Sequence, residues 1–122
     1  MSDSRDEQVE YLLAKLTTLY YGLRVTCQGL PVSITLPRAT GPISELMEGV
    51  DRCFRISDDL PLPDDVRADL QMACLHWNTA ADLIGLYATG MNGSKLRDEA
   101  AELAMASMQV ALNSVLAWLD QE

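Results

Sequence analysis

The chain has 122 residues, 18 acidic against 9 basic side chains, a net charge of −9 and 48% hydrophobic residues. Its length suits one domain spanning residues 1–122, large enough to bury a core without a metal or disulfide staple. The apolar content excludes a disordered acidic tail, and the negative field disfavours direct binding to nucleic acid or to anionic membrane.

The opening "MSDSRDEQVEY" is acidic and polar, unlike a secretory signal. "SRDE" sets Ser4 three residues before Glu7, a capping box that predicts a helix from about residue 4. Val9, Leu12, Leu13, Leu16, Leu19, Tyr20 and Leu23 follow at helical spacing. Gly29 and Pro31 stop this helix near residue 28.

The next stretch, "PVSITLP" within an extended segment over 30–41, has a different period. Val32, Ile34 and Leu36 alternate with Ser33 and Thr35, as in a strand, yet no second strand is predicted. Its backbone polar groups therefore call for water, a second copy of the chain or another protein. Three placements are open: a loop laid over the domain with its three apolar side chains in the core, a pairing with the same segment of a second chain, or an arm docked on a partner.

Pro42 opens a second helix over 42–56, with Ile43, Leu46, Met47, Val50 and Phe54 as its apolar stripe. "SDDLPLP" breaks the pattern. A third helix over 63–89 has Asp64 and Asp65 at its positive end and Val66, Leu70, Ala73, Cys74, Trp77, Ala81, Ile84 and Tyr87 along one face. Gly90 closes it, and Ser94 in "GMNGS" caps a fourth helix over 94–120. In that helix Leu96, Leu103 and Val110 mark one face, while Met105, Met108, Leu112, Val115 and Leu119 mark another. A helix apolar on two faces offers one of them to a partner or sits at the centre of the fold. The sum is an all-α protein, a small irregular four-helix bundle with one long extended connection between helices 1 and 2.

Motifs for chemistry are absent. No Walker loop, dinucleotide fingerprint, Gly-x-Ser-x-Gly elbow, zincin motif or Glu-x-x-His pair occurs. No catalytic residue, cofactor site or metal site is therefore expected. The single histidine, His76, lacks an evident nucleophile or orienting acid, although a pocket with Trp77 and Tyr87 would suit a small ligand. Cys27, Cys53 and Cys74 have neither zinc nor redox spacing and read as reduced core residues of a cytoplasmic protein. No apolar run of the length needed to span a bilayer is expected. Six methionines supply either core filler or an adaptable contact surface. The acidic run Asp58, Asp59, Asp64, Asp65 and Asp69 is either a solvated face or a mimic of DNA for a basic protein.

The stretches "LYYGLRVTCQGLPVSITLPRATGPISELMEGVDRCFRI" and "LHWNTAADLIGLYATGMNG" resemble the QslA family of quorum-sensing anti-activators. That resemblance implies a cytoplasmic, non-enzymatic regulator that binds the ligand-sensing domain of a LuxR-type transcription activator. Occupying its dimerisation surface would prevent DNA binding, because such an activator must dimerise to span two half-sites. The family carries no catalytic residues over. The residues expected to make the contact are Val32, Ile34, Leu36, Met105, Met108, Leu112 and Leu116, in a protein expected to be a homodimer. The acidic DNA mimic and the His76 pocket are the alternatives.

Overall fold

A computed structural model describes residues 2–89 and 95–121. The chain is all-α, with four α-helices among the described residues: α1 (Ser2–Gln28), α2 (Ile43–Ile56), α3 (Asp64–Ala88) and α4 (Lys95–Asp120). A 3-10 turn over Ser57–Asp59 follows α2. Helix α1 begins ahead of Ser4, so that serine lies inside the helix and does not cap it. The expected capping of the last helix by Ser94, and the stop at Gly90, lie outside the described residues.

The core is assembled from side chains three and four apart on each helix. Leu12, Leu16, Leu19, Tyr20, Leu23 and Cys27 of α1 are buried, as are Leu70, Cys74, Trp77, Ala81 and Ile84 of α3. The largest of them, Trp77, is fully buried and keeps its one donor satisfied: Nε1 donates to the Leu16 carbonyl of α1 at 3.0 Å. Tyr20 tilts against the same indole, with ring centroids 5.4 Å apart.

Contacts along the helices fix their directions. Gln8 of α1 donates to Asp98 of α4, 90 residues on. A Cβ added to Gly22 would meet Leu112, and one added to Gly29 would meet Leu119, at the same offset. The first and last helices therefore run parallel, side by side. Helix α3 runs against both, since Arg5 lies over the Tyr87 ring near one end and Trp77 meets Leu16 further along.

Helix α4 corrects one expectation. It is long and apolar enough to cross a membrane, with a mean hydropathy of 1.2 over its best window, of which 39% is buried within the protein. Its buried side, from Ala101 to Val115, packs mainly on α3.

The arm between α1 and α2 lies on the bundle. Leu30, Ile34 and Leu36 enter the core, while Val32 is 50% exposed. Its backbone needs neither a second copy nor a foreign strand. The Ile34 N–H donates to the Cys27 carbonyl at 3.0 Å. The Thr35 carbonyl accepts from Arg52 at 3.2 Å, the Leu36 carbonyl from Arg24 at 3.3 Å, and the Pro37 carbonyl from the Tyr20 hydroxyl. Side chains of α1 and α2 thus take the place of the missing strand partner.

Candidate protein-interaction surface

Burial separates the seven expected contact residues. Ile34, Leu36, Met105, Met108 and Leu112 are all core residues, between fully buried and about one-twentieth exposed. Their side chains are used within the chain, so they are not available to a partner. Only Val32 and Leu116 reach the surface. The reason is the dense α3–α4 packing: α4 turns its methionine face inward, where the flexible thioethers fill space between helices.

The other apolar face of α4 is the one left open. Leu96, Leu103 and Val110 are 74%, 69% and 68% exposed. They are seven residues apart, which keeps them in one stripe that drifts only about 20° per step around an α-helix. The stripe is about 21 Å long at the helical rise. Ala106 and Ala117 beside and beyond it are also exposed. Small side chains between large ones are what a second helix needs to approach closely and seat its own side chains. Other large apolar side chains at the surface include Tyr21 and Val25 of α1, Ile43 and Ile56 of α2, and Leu86 of α3.

The acidic run is partly occupied by internal contacts. Asp64 pairs with Arg67 at 2.9 Å, and Asp58 accepts from Gln71 at 2.7 Å. Arg67 also donates to the carbonyls of Ser57, Leu60 and Leu62. One guanidinium therefore gathers the turn between α2 and α3, and two of the five aspartates help hold that turn.

The three residues of the alternative site at His76 differ in placement, with His76 itself half-buried. Trp77 faces the core and Tyr87 is half-buried beneath Arg5. Two cavities are lined by other residues. A groove of about 540 Å³ beside the arm is lined by Pro37, Gly49 and the charged Glu45, Glu48, Asp51, Arg52 and Arg55. A smaller one of about 110 Å³ is lined by Asp51, Phe54, Cys74, Leu75 and Asn78. Among the described residues, no group of three or more His, Cys, Asp or Glu is arranged to hold a metal ion.

The three cysteines, widely spaced in sequence, converge. Cys27 at the end of α1 lies 3.6 Å, sulfur to sulfur, from Cys53 of α2, and Cys74 of α3 is near enough to influence the Cys53 thiol. All three are free and buried. Interaction with Cys27 and Cys74 pulls the Cys53 thiol down, and interaction with Cys53, together with burial, pushes the other two up. Sequence spacing gave no sign of this cluster, because the three residues sit on three different helices. Comparison of the chain with protein-family models, with curated proteins and with solved structures found no match.

Proposed function

We propose that this is a non-enzymatic, cytoplasmic regulator that binds a LuxR-type transcription activator through the exposed stripe of α4 and blocks the dimerisation that DNA binding requires. The observation that carries the reading is the stripe itself: three large apolar side chains, each more than two-thirds exposed, at heptad spacing on a helix whose other apolar face packs into the core. The class of partner comes from the resemblance to the QslA-type anti-activators. Val32 and Leu116 add apolar surface from the arm and from the end of α4.

A competitor of this kind needs to cover roughly 800 Å² on its partner. The net charge of −9 steers it towards proteins and away from the activator's DNA. A homodimer formed through the same stripe would compete with the activator, so binding would draw on free monomer.

The test is a gel-shift assay with a purified LuxR-type activator and its DNA site. Wild-type protein is expected to abolish the shift and to form a complex stable to high salt. Leu103→Asp with Val110→Asp, folded by circular dichroism, is expected to do neither. Full inhibition by that folded double variant would remove the stripe from the reading. Inhibition that vanishes with added salt and with neutralised Asp58 and Asp59 would transfer it to DNA mimicry.

A further inference from the structure

The open face of α4 is not uniformly apolar. At about 100° per residue, Glu99 lies about 60° around the helix from Leu96 and about 40° from Leu103, in the same exposed sector as Ala106, Val110 and Ala117. Its side chain is 63% exposed and stands between two leucines of the stripe. Lys95 approaches it to 3.9 Å, but that side chain is 84% exposed and precedes the glutamate by one turn, the less favourable order for such a pair on a helix. Half-buried Glu102 adds a second negative charge at the edge of the face.

Any surface that covers the stripe also takes Glu99 out of water. A covered carboxylate is costly unless a cation meets it. A second copy of the chain brings no cation to that place. Packed parallel and in register, the copy sets its own Glu99 against this one. Packed antiparallel with Leu103 over Ala106, it sets Val110 there. Glu99 therefore guards the stripe against self-pairing and selects for opposite charge. The relief of the face says what kind of element meets it. Leu96, Glu99, Leu103, Ala106 and Val110 follow one another three and four apart, as along the seam of a coiled coil. The small side chain of Ala106 leaves a hole for a knob from a second helix.

We propose that the open face of α4 takes one amphipathic helix of a partner protein, and that this helix carries a lysine or arginine in its apolar seam, opposite Glu99. The inference rests on the stripe being the contact surface and adds the shape and charge of what meets it. An arginine in that layer donates two parallel hydrogen bonds to the carboxylate, and a lysine sets a single ammonium on it. Apolar side chains to either side of the cation seat against Leu96 and Leu103, and a large one further along fills the hole at Ala106. A helix with the same apolar seam but an acidic residue in that layer is rejected, because Glu99 is then covered against a like charge. Self-pairing through the stripe is weak for the same reason, which leaves free monomer for the partner.

The test uses the full chain and a synthetic helix, blocked at both ends and long enough to span the stripe. Its seam is leucine and alanine, with lysine or glutamate in the layer designed to face Glu99, and each form is made in both chain directions. Binding is read by fluorescence anisotropy of the labelled peptide. In one direction the lysine form is expected to bind about tenfold or more tighter than the glutamate form. Glu99→Lys, an exposed substitution checked for fold by circular dichroism, is expected to reverse that order. Leu103→Asp is expected to abolish binding of both. Equal binding of the two forms, an order unchanged in Glu99→Lys, or no binding of the lysine form in either direction overturns the proposal. Sedimentation supplies a second readout without any peptide. Glu99→Leu is expected to make the chain self-associate, and adding Leu103→Asp to reverse it. A wild-type oligomer that Leu103→Asp dissociates would make a second copy the occupant and overturn the proposal. Loss of the charge order with gel-shift inhibition still dependent on Leu103 and Val110 would remove only the helix and its cation, leaving the stripe as the contact surface.

Discussion

Pro37 lies so close over Gly49 that a Cβ built on the glycine would stand 2.5 Å from the proline Cδ. The arm crosses α2 at this point, and the glycine is what lets it settle. Gly49→Ala tests the contact. Alanine favours a helix by about 1 kcal/mol over glycine. The clash with a rigid ring costs roughly 1–3 kcal/mol. The expected net result is a loss of up to about 2 kcal/mol in denaturant unfolding. Gly85 of α3 has nothing within 4 Å of an added Cβ, so Gly85→Ala is expected to gain up to about 1 kcal/mol. A gain at both positions would mean that the arm does not rest on α2.

Tyr20 connects the arm to α1 through its hydroxyl, which donates to the Pro37 carbonyl. Burial pushes its ionisation up from 10 to about 12, with Arg24 pulling the other way. The fold favours the neutral phenol, so this contribution to stability is complete below pH 10 and is lost as pH rises through 12. Tyr20→Phe is expected to cost about 1–2 kcal/mol at neutral pH. It is also expected to remove the part of the alkaline stability loss that falls in that window. Ultraviolet titration of the phenolate checks the assignment.

Arg67 donates to three carbonyls and to Asp64. Arg67→Ala leaves the carbonyls of Ser57, Leu60 and Leu62 without this donor, and a loss of roughly 2–3 kcal/mol is expected in chemical unfolding. Arg67→Lys is expected to recover only part of it, because a single ammonium does not reproduce the fork of the guanidinium. Asp64→Asn removes only an exposed pair and is expected to cost less than about 1 kcal/mol.

The two faces of α4 should separate folding from binding. Met108→Asp places an unpaired charge in the core and is expected to unfold the domain, visible as loss of helical ellipticity. Leu103→Asp on the open face is expected to leave the melting temperature within a few degrees of wild type and to weaken partner binding. A well-folded Met108→Asp protein would contradict the packing described here.

Much of the architecture was legible in the sequence. The spacing of Leu12, Leu16, Leu19 and Leu23, the prolines at 31, 42 and 63, and the glycine at 29 placed three helix boundaries within a residue or two. Both apolar faces of α4 were legible as well. Which of them faces inward was not, because that depends on the partner helix and not on α4 alone. The alanines around Met105 and Met108 carried a signal, since small residues let α3 approach. In the arm, the alternation of Ile34 and Leu36 was legible, but the burial of Leu30 in place of Val32 was not. That choice depends on where α1 ends and how Cys27 receives the Ile34 N–H. The thiol cluster had no local signature.

The parallel pairing of α1 with α4 has a consequence for synthesis. Residues that touch are 90 positions apart, so Gln8 and Gly22 leave the ribosome long before Asp98 and Leu112. At about 5–20 residues per second, the apolar side of α1 waits roughly 5–20 s for its last neighbour. The arm is complete well within that interval, and its contacts with Tyr20, Arg24 and Cys27 of α1 do not involve α4. The side of α1 that meets the arm can therefore be covered early, whereas the side that meets α4 must wait for the end of the chain.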